Sequence, residues 1–237
     1  MSLHIGILQT DAVRPEFQAA HGDYPAMFRD LFSARPLGQQ ADIHFTTYDV
    51  QRGMPDDTQC DAYLITGSKL SVYDDLEWIR QLAVYLQEVL DAGKKVVGVC
   101  FGHQLIAHFF GGQVQPAEGG WAVGVHHSDV VCEHLWMVGD TKSVGLLSSH
   151  KDQVIELPDG AQIYLRNDFC PIAGFTIKDQ VLTVQGHPEF SKDFAAELMN
   201  FRRTMFGEDI YQRGMASLGD PTREYVMADW ILQFAAG

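Results

Sequence analysis

Cys100 stands between Gly98 and Gly102 in the run Gly-Val-Cys-Phe-Gly. A thiol two residues from a glycine on either side is the nucleophile-elbow pattern with cysteine in the serine position. The glycines allow a strained turn and a close approach of strand to helix, so that one side chain can be presented at a sheet edge. A thiol beside a helix N-terminus favours its thiolate form, which can bring a pKa of about 8.5 into the range of about 3.5–7.5. A cysteine that only fills space has no need of flanking glycines. A thiolate nucleophile needs a base, a group that orients the base, and an oxyanion hole. Among ten histidines, His187 stands out because it follows the apolar run Val181–Val184 in Gln-Gly-His-Pro-Glu-Phe. Glu189 lies two residues on, across a proline that restricts the chain. A carboxylate held there can fix one imidazole nitrogen and leave the other for the thiol. Thr66-Gly67-Ser68 ends another apolar run, where a main-chain amide of Gly67 or Ser68 can join that of Phe101 in binding an oxyanion.

These residues need a scaffold that brings strand ends together. Val96, Val97 and Val99 suit a buried strand, and Leu105, Ile106, Phe109 and Phe110 repeat at helical spacing until Gly111-Gly112. Upstream, Leu3–Leu8, residues 42–48 and Asp61–Thr66 are further predicted strands, with residues 9–23 a polar loop. Tyr24, Met27, Phe28, Leu31 and Phe32 define an amphipathic helix with Asp23 as N-cap, and Leu76–Leu90 a longer one capped by Asp74 or Asp75. The alternation predicts a three-layer α/β/α fold with a mostly parallel central sheet, in which strand ends on one edge gather the site. The second half, with short runs at Ala122–Val131, Gln162–Arg166, Ala173–Ile177 and Val181–Gln185, predicts added antiparallel strands. Helices are expected at Ser191–Phe206 and at Pro221–Phe234, the latter with Asp220 as N-cap. No repeat or linker divides the chain, so residues 1–237 are expected to form one domain with a helical extension over 190–237.

A net charge of −14 over 237 residues argues against nucleic-acid binding, which needs a basic footprint. No run of 18 apolar residues and no signal peptide is present, so no membrane partner is expected and the default compartment is cytoplasmic. The four cysteines are scattered, which fits neither a disulfide framework nor a zinc finger. His126 and His127 would point to opposite faces of a strand and cannot chelate one ion together, and no metal or cofactor is expected. His103, just after the elbow, is expected to pack or touch substrate rather than act as base. His150 and Asp152, read as part of a loop in Ser-Ser-His-Lys-Asp-Gln, are expected to contact substrate.

Gly98-Val-Cys100-Phe-Gly102-His-Gln104 together with Gly186-His187-Pro188-Glu189 resembles the class I, or triad, glutamine amidotransferases. Ile65-Thr-Gly67-Ser68-Lys-Leu-Ser71-Val resembles the oxyanion loop of the amidotransferase domain in GMP synthase, and Ser149-His150-Lys-Asp152-Gln-Val154 resembles another block of that subgroup. The resemblance implies a flavodoxin-like sheet and hydrolysis of a γ-glutamyl amide, glutamine being the usual small-molecule donor, through a Cys100–His187–Glu189 triad and a γ-glutamyl thioester. It places Gln104 beside the donor. Two features depart from the pattern. The oxyanion loop reads Gly67-Ser68-Lys69 where the family commonly has Gly-Gly-Pro, and the chain has no phosphate loop and too few residues after Phe190 for a synthetase domain. Ammonia would then serve a separate synthetase subunit, or the chain would be a free-standing hydrolase of γ-glutamyl peptides or amines. A silent regulatory subunit and a cysteine peptidase on a similar scaffold are the remaining alternatives.

Overall fold

The computed structural model describes residues 2–35 and 42–237. Its elements in chain order are β1 (Ser2–Gln9), α1 (Pro15–His21), α2 (Tyr24–Ser33), β2 (Asp42–Asp49), β3 (Ala62–Ile65), α3 (Glu77–Asp91), β4 (Lys95–Val99) and α4 (Phe101–Phe109). There follow β5 (Gln113–Pro116), β6 (Ala122–Val130), β7 (Ser143–His150), β8 (Asp152–Glu156), β9 (Ala161–Arg166), β10 (Gly174–Ile177) and β11 (Val181–Val184). The tail carries α5 (Lys192–Phe201), α6 (Arg203–Phe206), α7 (Glu208–Ser217) and α8 (Glu224–Ala236).

One nine-stranded sheet runs in the order β2-β1-β3-β4-β11-β10-β9-β6-β7, and β5 pairs with β8 separately. From β2 to β11 neighbouring strands are parallel, and from β11 to β7 they are antiparallel. The register across the parallel part aligns Tyr63, Val96 and Val181 in one row and Leu64, Val97 and Leu182 in the next. Because side chains alternate along a strand, the two rows face opposite ways. The Leu64 row packs under α2 and α8 through Phe28, Phe32 and Trp230. The Tyr63 row packs under α3 and α4 through Leu82, Leu86 and Leu105. Both faces are covered, which is why β3, β4 and β11 read as near-continuous apolar runs. Each of those large apolar side chains, fully buried, contributes about 1.5–3 kcal/mol.

Several local expectations are corrected. Residues 15–21, read as loop, form α1 with Pro15 at its start. Neither Asp74 nor Asp75 caps α3: Asp74 accepts from the Ser71 N–H (3.0 Å) and Asp75 pairs with Arg80, leaving Leu76 at the cap position. His150 is not on a loop but ends strand β7, with Lys151 turning the chain into β8. The helix expected over 191–206 starts as predicted, its Ser191 side chain accepting from Phe194 N–H, but breaks at Arg202. The final helix begins at Glu224 rather than Pro221, because the Arg223 N–H donates to Gly145 C=O on β7 (2.8 Å). Asp23 caps α2 as expected. Among the described residues no helix is long and apolar enough to cross a membrane.

Candidate active site

The parallel strands β1, β3, β4 and β11 all deliver their carboxyl ends to one edge, and each continues into the same neighbourhood. Cys100 follows β4 with φ 51°, one of two non-glycine residues described with positive φ. Such a backbone costs about 1–3 kcal/mol and persists only where the surroundings impose it. Here they do so by close packing. A side chain at Gly98 would meet the Gly102 backbone at 2.7 Å, and one at Gly102 would meet Ile65 at 2.7 Å. The Cys100 N–H donates to Val184 C=O (2.9 Å) and its own C=O accepts from Gln104 N–H (3.1 Å), so the turn is bound on both sides.

His187, just past β11, is anchored by its N–H to Leu147 C=O (2.7 Å). Its Nδ1 meets Glu189 Oε1 at 2.8 Å with both side chains buried, and the Cys100 sulfur is near enough to act on the charge of the ring. A carboxylate only accepts, so Nδ1 carries the hydrogen and Nε2 is left for the sulfur. The ring stacks on Phe190 at 3.9 Å, and Tyr24 stacks on Phe190 at 6.2 Å, which holds the imidazole plane. Burial alone would strip this imidazole of its charge. The Cys100 sulfur and the Glu189 carboxylate outweigh burial and push His187 up to about 10. The imidazolium therefore stays charged through neutral pH, beside the sulfur.

Gly67 closes the third side. A Cβ there would lie 2.8 Å from His187 Cε1 and 3.6 Å from Cys100 Cβ, so only glycine fits. The Thr10 hydroxyl donates to Gly67 C=O (2.8 Å). In a planar trans peptide the next N–H points the opposite way, so this bond fixes the direction of the Ser68 amide. Phe101 opens α4, where its N–H has no intrahelical acceptor. The departure at Ser68-Lys69 has a local explanation: Ser68 Oγ accepts from Leu70 N–H (3.2 Å), and Lys69 binds Asp11 through both its N–H (3.1 Å) and its Nζ (2.8 Å).

Cys100 lies in the wall of a cavity of about 570 Å³. Gln104, His150 and Asp152 line it as well, but Gln104 Nε2 donates to Asp152 C=O (2.7 Å) and to Gln185 Oε1 (3.1 Å), while His150 Nδ1 donates to the same carbonyl (3.0 Å). Both thus clamp the β7–β8 turn, and Asp152 in turn accepts from the Ser71 hydroxyl. Burial pushes His150 down to about 3, so it is neutral. His103 is fully buried against Thr183 (2.8 Å), outside the cavity wall, and burial pushes it to about 3 as well. His126 and His127 point to opposite sides, the first against Phe169 and the second, exposed, toward Asp220. Thr10, Asp11, Tyr24 and Arg202 were missed by sequence reasoning. Thr10 and Asp11 follow β1 directly, so the strand-end rule that selected Gly67 could have found them; Arg202 carries no local signal.

A cysteine in a strained turn, an imidazole beside it and a carboxylate behind the imidazole can carry out nucleophilic acyl transfer. That chemistry on an open, mostly parallel sheet defines a class, and comparison with known proteins gives the family. Residues 33–203 match the model of the class-I glutamine amidotransferases, and the chain belongs to that family. γ-Glutamyl peptidase 4 of Arabidopsis thaliana is 30% identical, the match covering 88% of this chain and 83% of that protein. A glutamine amidotransferase-like protein of Schizosaccharomyces pombe is 29% identical over 99% of both chains. A glutamine amidotransferase structure from Thermotoga maritima superposes with a TM-score of 0.78 at 12% identity, covering 99% of each chain.

Proposed function

We propose that the protein hydrolyses γ-glutamyl amide bonds through Cys100, His187 and Glu189. The observation that carries this reading is the strained Cys100 turn in the cavity wall, with His187 beside it and Glu189 bonded to His187. The Cys100 sulfur adds to the γ-carbonyl carbon, and the oxyanion is met by the amides of Ser68 and Phe101 beside Gly67. The C–N bond then breaks, His187 passes its proton to the departing nitrogen, and a γ-glutamyl thioester remains. His187 next takes a proton from water, which attacks the thioester, releases glutamate and returns the thiol. Glu189 keeps the imidazole in the productive tautomer throughout.

The cavity exceeds what a primary amide needs on its leaving side; its volume falls in the range that encloses drug-sized ligands. This favours γ-glutamyl peptides or amines, in keeping with the similarity to a γ-glutamyl peptidase. The second reading is glutamine as donor with ammonia passed to a separate synthetase chain, supported by the family itself. Release of glutamate from glutamine and from a γ-glutamyl peptide panel separates the two; turnover of glutamine alone would overturn the peptide reading. A catalytically silent subunit is tested by an electrophilic glutamine analogue. The expected result is modification of Cys100; an unmodified Cys100 alongside a labelled Cys132, which is partly exposed, would defeat the enzymatic reading.

A further inference from the structure

An oxyanion donor made of main chain points wherever its own peptide is held. Ser68 is gripped on both sides by consecutive residues just past β1. Before it, the Gly67 C=O accepts from the Thr10 hydroxyl (2.8 Å). After it, the Lys69 N–H donates to Asp11 Oδ2 (3.1 Å). The Ser68 N–H, between these two held peptides, has no acceptor among the described residues. Thr10 is itself braced. Its N–H donates to Thr66 Oγ1 (3.0 Å) and its C=O accepts from Gln51 Nε2 (2.6 Å). Its hydroxyl has one hydrogen and three oxygens in reach, of which Gly67 C=O is nearest; Thr66 C=O and Thr66 Oγ1 both stand at 3.1 Å. With the Thr66 hydroxyl donating to Thr10 Oγ1, both hydroxyl hydrogens have acceptors, and a hydroxyl that accepts donates more strongly. Thr10 and Thr66 are completely buried, and neither is in the cavity wall. Glycine is imposed at 67 by the closeness of His187, yet glycine resists rotation of its peptide least of all residues. The turn therefore needs a hold from outside itself.

We propose that Thr10, braced by Thr66, is a positioning residue that keeps the Ser68 amide aimed at the oxyanion. The inference rests on the γ-glutamyl hydrolase reading above and adds to it a residue that never touches substrate. Without the Thr10 hydroxyl the Gly67 carbonyl loses its donor, the Gly67–Ser68 peptide can turn, and the oxyanion loses one of its two amides. Cys100, His187 and Glu189 stay where they are.

The test separates reactions of Cys100 that pass through an oxyanion from one that does not. In Thr10→Val, kcat should fall by about 10- to 100-fold with KM changed by less than about threefold, since the lost hold acts on the transition state. Labelling by a glutamine analogue with a chloromethyl ketone in place of the amide should slow in parallel. There the sulfur adds to the ketone carbon, making an oxyanion before chloride leaves. Alkylation by iodoacetamide, in which the sulfur displaces iodide directly, should keep its wild-type rate at Cys100. Thr10→Ser keeps the hydroxyl and should retain kcat within about threefold. Equal slowing of both labels in Thr10→Val would mean a general disturbance of Cys100 and His187. A Thr10→Ser variant as impaired as Thr10→Val would mean that the hydroxyl is not the hold. Either result overturns the assignment, as does an unchanged kcat in Thr10→Val. If Thr10→Val does not fold, Thr10→Ala carries the same comparison. Wild-type protein that hydrolyses neither glutamine nor a γ-glutamyl peptide would instead defeat the hydrolase reading and this inference with it.

Discussion

Two strand ends on the same sheet edge each carry a buried histidine, and they behave in opposite ways. His187, past β11, faces a sulfur and a carboxylate and is held charged up to about pH 10. His150, at the end of β7, faces the carbonyl of Asp152 and is held neutral down to about pH 3. Burial is the same for both, at 4% and 5% exposure, so burial does not decide the outcome. What decides it is whether the neighbours bring charge or only a dipole. A carbonyl dipole orients a ring without paying for its charge, whereas the Cys100 sulfur and the Glu189 carboxylate together overturn desolvation. One histidine is thereby equipped to move protons and the other to hold a turn.

The comparison breaks most severely at Cys100. Cys100→Ala should lower kcat by about 10⁴-fold or more, and it also removes the first of the two groups that raise His187. An imidazole titration by NMR should then find His187 well below its wild-type value, moved toward the behaviour of His150. An unmoved titration would mean that Glu189 alone sustains the charge.

Glu189→Gln is expected to cost about 10³–10⁴ in kcat, because an amide can donate to Nδ1 and favour the wrong tautomer. Its pH signature has a definite sign. In the wild type the raised value means that the pair's contribution to stability is fully present below the unfolded histidine value of about 6.5. That contribution is lost as pH rises through about 10. Removing the carboxylate lowers the folded value, so the alkaline limbs of stability and of activity both move to lower pH. A pH–rate profile identical to wild type would refute the role given to Glu189.

Gly67→Ala acts on geometry alone. Its Cβ would stand 2.8 Å from His187 Cε1, so the ring must shift. A displacement of that kind costs about 10²-fold in kcat, with little change in KM and with folding intact by circular dichroism.

The smallest expected effect lies on the neutral side. His103 and His150 are both held near 3, so between about pH 6.5 and 3 the unfolded chain binds more protons than the folded one. Stability should therefore fall as pH drops through that window, the reverse of the His187 case. His150→Gln should flatten the acid limb of a Tm-against-pH curve while reducing kcat by less than about 10-fold. A larger loss without any change in the acid limb would mean that His150 moves protons after all.

How much of this was legible follows from where each signal resides. The elbow, the Gly-His-Pro-Glu run and the Gly67 turn are short local patterns, and glycine is demanded there by contacts that tolerate no side chain. The parallel half of the sheet was readable because buried strands on both faces leave continuous apolar runs. Strand β7 was not, since Ser148, Ser149 and His150 are polar and their burial comes from neighbours distant in sequence. The start of α8 was misread for a similar reason, because its preceding backbone is bound to β7 rather than to its own first turn.

Sequence alone therefore marked Cys100, His187 and Glu189 as a candidate triad, and the alternation of strands and helices that sets strand ends on one edge, because those are questions of residue type and short spacing. Tertiary structure alone decided which histidine is charged, that Gln104 and His150 brace the β7–β8 turn, and that Arg202 reaches the cavity of Cys100. The Gln104–Asp152 and Arg202–Ser149 bonds and the approach of Cys100 to His187 join groups some fifty to a hundred residues apart, and electrostatics and desolvation act through distance in space, not along the chain.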